Sequence, residues 1–169
     1  MTKSIANVLV GVVTISVNPT AGTAVGDGGW VDLGYTEDGV QFIYVVEMGD
    51  IRVLSETFPV AHIIVREDVD ILCNLAEASL VNFNYALAGA VLAGSTITLD
   101  AGAVKELALK LVGVGPDTAL PVRTIYVPYC TAVGAVRQSY RKAGKTLIPV
   151  TFRAFKSSGV DVCTIEDSA

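Results

Sequence analysis

With 169 residues, 51% of them hydrophobic and 17% charged, the chain is long enough for one domain with a real core, and it falls below the roughly 25% charge of a typical soluble domain. The apolar surplus does not amount to a membrane-spanning helix, which needs about 20 consecutive apolar residues; the longest runs, "VLVGVVTISV" (8–17) and "YALAGAVLAG" (85–94), are shorter and interrupted. With a membrane span excluded on length, the surplus points to burial against other copies of the chain; separately, three widely spaced cysteines without a CxxC exclude a disulfide framework and a zinc site.

In chain order, residues 7–17 are rich in Val, Ile and Thr and predict a first strand. Lys3 and the apolar run after it imitate a secretory signal, but the β-branched composition favours the strand. A glycine-rich loop, "NPTAGTAVGDGG", follows, and then "GWVDLGYTEDGV" with the single tryptophan. Here Trp30 and Tyr35 are expected to pin a sharp turn by burying large rings, in the subunit's core or against a neighbour. A second strand is predicted at 39–47 and a mixed-charge excursion at 48–59. A third strand, 60–73, alternates: Ala61, Ile63, Val65, Val69, Ile71 and Cys73 share a face with Glu67, and His62, Arg66, Asp68 and Asp70 share the other with Ile64 and Leu72.

One helix is predicted at about 74–88, with Asn74 as N-cap, Glu77 completing a capping box, Ala76, Leu80, Phe83 and Leu87 as its apolar stripe, and Gly89 as C-cap. Further strands are predicted near 95–100, 105–113, 121–129, 132–139, 145–155 and 160–165; Pro128 and Pro149 mark edges or bulges, because proline cannot donate a ladder hydrogen bond. The order of strands, one helix, strands predicts a mainly β (α+β) single domain: an antiparallel β-sandwich or partial barrel with one flanking helix. Residues 1–100 hold 12 acidic and 3 basic groups and residues 101–169 hold 5 and 9, balances of −9 and +4, which suits head-to-tail contact between copies.

Catalytic parts are scarce. His62 is the only histidine, no GxSxG elbow exists, and an enzyme built on His62 or on the third-strand carboxylates is the weaker reading. "RKAGKT" (141–146) lacks the first glycine of a phosphate loop, and strand-like "LIPVTF" follows where a helix belongs. Asp68 and Asp70, with Arg66 beside them, read as a salt-bridged solvated face and not as a metal site. No cofactor or metal is expected.

Three stretches in order resemble a known family: "VLVGVVTISVNPTAGTAV…GGWVDLGYTEDGVQF", "VAHIIVREDVDILCNLAEASLVNFNYALAG" and "AVRQSYRKAGKTLIPVTFRAFKSSG". Together they are similar to the major tail tube proteins of long-tailed bacteriophages, over nearly the whole chain, with residues 90–120 the least typical part. The resemblance implies β-sandwich-like subunits in six-membered rings, with inner strands that join into one multi-subunit β-barrel and rings that stack into a virion tail tube through which double-stranded DNA passes. It implies further partners: a tape-measure protein, a tail terminator and distal tail proteins. Terminator or head–tail joining rings, and type VI secretion tubes, are the alternative readings. On this reading Glu47, Arg66, Asp68 and Asp70 are lumen candidates, Asp50, Arg52 and Glu56 are ring-stacking candidates, and the N-terminal strand and the C-terminal "DVCTIEDSA" act as arms.

Overall fold

The computed structural model describes residues 13–54, 57–99, 103–116, 119–138 and 145–169. The start of the 7–17 strand, Glu56 and most of the basic turn lie outside the described residues. Among the described residues ten strands and one helix form, in the order β1 (Thr14–Asn18), β2 (Val31–Asp32), β3 (Thr36–Ile51), β4 (Ala61–Leu75), α1 (Leu80–Ala86), β5 (Ala90–Ala93), β6 (Thr96–Leu99), β7 (Leu107–Val114), β8 (Val122–Val133), β9 (Ile148–Ala154) and β10 (Thr164–Ser168).

Every pairing is antiparallel, and the main sheet runs β2–β1–β7–β8–β9–β4–β3, with β10 joined to β8. It is a mainly β, sandwich-like fold with a flanking helix, and the sheet does not close. Strand β8 makes this possible. Its first half, Val122–Tyr126, lies between β7 and β10, and its second half, Cys130–Val133, pairs with β9. Between them, three steps along β8 (Val127 to Cys130) match two along β7 (Leu109 to Leu107), so β8 carries one extra residue there. Pro128 sits in this bulge, as proline chemistry requires, and its carbonyl accepts from Gly22 N at 2.7 Å. Pro149 lies on β9 beyond the last rung to β8, where no partner on that side needs its missing N–H.

The two layers meet over one core. Phe152, Ile15, Leu33, Ile71, Leu75, Leu107, Leu109 and Ile148 are fully buried and come from β1, β4, β7, β9 and the segment after β2. The alternation of period two in "IPVTF" puts Ile148, Val150 and Phe152 inward and leaves the residues between half-buried.

Two sequence expectations are corrected here. The helix is shorter and starts later: Asn74 and Leu75 belong to β4, where Asn74 stands opposite Pro149 on one side and Glu37 on the other. A strand already paired on both sides overrides a local capping signal. Ser79 is the N-cap and accepts from Asn82 N at 3.1 Å. Glu77 accepts from Tyr35 N instead. Leu87 ends the helix in an extended conformation, and Lys105 Nζ donates to the carbonyls of Asn84 and Leu87. In the expected apolar stripe Leu80 is 46% exposed, and the helix instead buries Ala86, with Phe83 partly buried against the core. The expected strand at 132–139 is the end of β8, which stops at Val133 before Gly134 turns the chain at positive φ.

Candidate assembly interface

Strands β3 and β4 form one long hairpin. The segment 48–59, expected to be a separate excursion, is strand as far as Ile51, because β3 pairs with β4 through Ile51↔Ala61. Only the base of the hairpin is held by the subunit: β9 pairs with β4 from Asp70 to Leu75 and no further. Beyond that point the outer edge of β4, and the whole outer edge of β3, have no partner among the described residues.

The far half is apolar and exposed on both sides. Met48 is 63% exposed, Phe58 79%, Ile63 52%, Ile64 57% and Val65 61%. Three consecutive exposed residues cannot all lie on one face of a strand. The expected division of 60–73 into a buried and a wet face therefore holds only from Val69 to Leu75, where Val69, Ile71, Cys73 and Leu75 are buried.

A bulge explains the rest. Glu47 stands opposite Arg66 and Met48 opposite Ile64, so Val65 is an extra residue in β4. A side chain on Gly49 would strike Val65 and meet Ile63, which places these two on the Gly49 face. The parity of β4 thus reverses at Val65. His62 and Ile64 leave the face of Asp68 and join Met48, Asp50, Tyr44 and Glu67 on the side that becomes the core at Ile71. On the other side, in successive rungs, lie Ile43 with Asp70, Val45 with Asp68, and Glu47 with Arg66.

No protein-family model matches the chain, and no curated protein matches it. Solved structures do. A chain from the tail of an empty GTA particle, computed with helical refinement and C6 symmetry, superposes with a TM-score of 0.50 at 9% identity, covering 99% of this chain and 100% of the other. The chain shares its fold with that tail chain. The crystal structure of an Hcp protein matches with a TM-score of 0.39 and 11% identity over 92% of this chain and 98% of that one, too weak a superposition to add weight.

In this fold the four lumen candidates come together on the hairpin face turned away from the core. Arg66 Nε donates to Asp68 Oδ2 at 2.7 Å. Arg153, reaching across from β9, grips Asp70 with two hydrogen bonds of 2.8 Å, Nε to Oδ1 and Nη2 to Oδ2. Glu47 completes the set opposite Arg66. Both arginines of the face are thus paired with carboxylates, and sequence spacing could not show the second pair, because Arg153 is 83 residues from Asp70.

The Arg153 hydrogen bonds hold the Asp70 carboxyl below its usual range, against a smaller opposing effect of burial. A depressed folded-state value adds stability above the ordinary carboxylate value near pH 4, and that contribution disappears as pH falls through the lowered one. Asp70→Asn is therefore expected to cost about 1 kcal/mol or less at pH 7, the scale of a solvent-facing ion pair, with a smaller difference from the parent at pH 3 than at pH 7. Urea denaturation at the two pH values measures it.

Of the stacking candidates, Asp50 and Arg52 lie towards the hairpin's end. Asp50 Oδ1 is 2.9 Å from His62 Nδ1, and Arg52 Nη2 is 3.3 Å from Asp50 Oδ2. The two anchor candidates separate. Trp30 is half-buried, with Tyr126 edge-on at 6.2 Å and Lys110 Nζ 4.5 Å above its ring. Around it the 19–30 loop is tied to β8 by Tyr126 Oη donating to Thr23 O at 2.6 Å and by the Gly22 bond. Tyr35 is 78% exposed, so its ring does not anchor the turn in its own core; its backbone bonds to Glu77 and Ala76 beside Gly34, which has positive φ. The C-terminal segment expected to be an arm is β10 on the subunit's own β8, fastened by two 2.6 Å bonds from Arg123 to Asp167.

His62 and Asp50 sit on the exposed hairpin, and among the described residues His62 has Asp50 as its hydrogen-bonded partner. Burial pushes the Cys73 and Cys130 thiols up to about 12, so neither is a thiolate at neutral pH. Among the described residues no group of three or more His, Cys, Asp or Glu is placed to hold a metal, and no helix is long and apolar enough to cross a membrane.

Proposed function

We propose that the chain is a structural, non-enzymatic subunit of a phage-type tail tube, and that copies of it pair through the β3–β4 hairpin into hexameric rings that stack into a hollow conduit for double-stranded DNA. The observation that carries this reading is the hairpin: an apolar element exposed on both faces, with free edges, in a subunit that otherwise has an ordinary core. Exposed strand edges are templates for pairing, and closing them between copies removes the hazard and buries the apolar surplus. The tail-tube fold over almost the full chain supports the same reading. In such a ring the Glu47–Asp70 face is the lumen, and its paired charges offer DNA few unpaired cations to bind, so the strand slides past. The virion tail is the place of action, and tape-measure, terminator and distal tail proteins are the partners.

Negative-stain electron microscopy of the purified chain tests this directly. Hollow tubes of constant diameter are expected. Closed rings that never elongate would move the chain to a terminator role, and a monomer at every concentration would overturn the proposal.

A further inference from the structure

The ring of Tyr35 is exposed, yet its main chain is held on both sides. Tyr35 N donates to Glu77 Oε1 at 3.3 Å, and Ala76 N donates to Tyr35 O at 2.8 Å. Just before it, Gly34 has positive φ, and any side chain there would strike the Glu77 carboxylate. Just after it, Glu37 is held by Lys145 at 2.9 Å. The start of α1 belongs to the same corner, because Asn82 Nδ2 donates to Leu33 O at 2.9 Å, and there Leu80 and Val81 are exposed too. An aromatic ring on a clamped main chain loses little freedom when it is covered, which is what an interface anchor requires.

The corner's place in the fold says what covers it. Tyr35 directly precedes β3, whose outer edge is free among the described residues, so the corner is continuous with the edge through which copies are proposed to pair. Strand β3 is 16 residues long, and at about 3.3 Å per residue it separates the corner from the hairpin's far end by roughly 50 Å. Copies that pair side by side along β3 and β4 set those strands along the tube, tilted as barrel strands are, so the two ends of each hairpin face the two adjacent rings. Head-to-tail stacking then brings the corner of one copy against the far end of another, and such a contact needs two different, complementary surfaces. The far end offers Leu54, fully exposed, and Phe58, mostly exposed, among the charged residues Asp50, Arg52 and His62, and Glu56 belongs to the same segment. Tyrosine suits so mixed a surface whatever its net charge: the ring packs on apolar side chains and the hydroxyl serves polar ones.

We infer that Tyr35 is the anchor of ring stacking: it docks on the far end of the β3–β4 hairpin of a second copy in the adjacent ring, with Leu80 and Val81 at the same corner. This rests on the self-assembly proposed above. Edge pairing within a ring does not use the tyrosine, so its removal separates ring closure from tube growth.

The test compares the full chain and its variants by negative-stain electron microscopy, by thermal melting and by the critical concentration for tube growth in light scattering. Tyr35→Ala is expected to melt within about 2 °C of the parent, because the ring is exposed, and to form rings that grow into tubes only at a concentration roughly 30-fold or more higher. Tyr35→Phe, which keeps the ring, is expected to stay within about threefold of the parent. Phe58→Ala is expected to give the same rings without tubes. The double variant Tyr35→Ala/Phe58→Ala is expected to lose less than the two losses combined, as residues in contact do. Tubes formed by Tyr35→Ala at the parent's concentration, losses that simply multiply in the double variant, or loss of rings or of melting temperature together with tubes overturns the anchor and leaves the tube reading intact. A parent that forms neither rings nor tubes, or rings that never elongate, overturns the tube reading and the anchor with it.

Discussion

The double variant Met48→Asp/Ile64→Asp is expected to fold like the parent and to form neither rings nor tubes. The two residues are direct partners across the β3–β4 hairpin and share one face. In the free subunit they are 63% and 57% exposed, so the subunit gains little from them. Surface substitutions of this kind change folding stability by about 0.5 kcal/mol or less. In an assembly that covers the hairpin the balance reverses. Each buried apolar side chain of this size contributes about 1.5–3 kcal/mol, so removing two costs about 3–6 kcal/mol per contact, a rise in critical concentration of roughly 100-fold or more. Two carboxylates forced into the contact add a desolvation cost. Thermal melting should be nearly unchanged while sedimentation shows only monomer. Tubes of normal length formed by the double variant would remove the hairpin from the interface.

Phe152→Ala is the opposite case, with a large effect on folding. Phe152 is fully buried on β9, opposite Ile71 of β4 and Ala132 of β8. Strand β9 joins the β8 side of the sheet to the hairpin side, so a void there loosens the hairpin's base as well as the core. Truncating a buried phenylalanine costs about 3–5 kcal/mol, a large part of the roughly 5–15 kcal/mol that stabilises a domain. At about 2–4 °C per kcal/mol for a chain of this size, the melting temperature should fall by roughly 6–20 °C. Differential scanning calorimetry measures the fall; a change of under 2 °C would show that this layer of the core repacks freely. Whatever fraction remains folded should still present an exposed hairpin, so the two variants separate folding from assembly.

The sheet-rich fold class was legible in the sequence because its causes are local. Alternation in "VDILC" and "IPVTF" has the period of a half-buried strand, and both segments are half-buried strands. Pro128 marked a bulge because its missing N–H forbids a regular rung, wherever the partner strand comes from. The surplus of apolar residues was also visible, being composition alone, and much of it reappears as exposed side chains on the β3–β4 hairpin. Arg66, Asp68 and Asp70 keep the common face that alternation gives them, because the reversal of parity in β4 falls at Val65, just beyond Arg66.

Only the tertiary structure decided the rest, and in each case the reason is a partner distant in sequence. Asn74 has the chemistry of a helix cap, but ladders on both sides hold it as strand and leave capping to Ser79. His62 was expected on the Asp68 face and lies on the other, since one extra residue in β4 exchanges the faces of everything before it. Tyr35 and Trp30, five residues apart and both aromatic, received opposite fates: Trp30 lies between Lys110 and Tyr126 of the sheet, and Tyr35 faces solvent. Asp70 is gripped by an arginine from the far end of the chain. Local pattern by itself determined which segments extend and how apolar the chain is, because backbone propensity and side-chain period act between neighbours. Where β4 loses its second partner, and so which of its apolar residues are left for another copy to cover, depended on how far β9 reaches along it, and that is set by packing across the whole sheet.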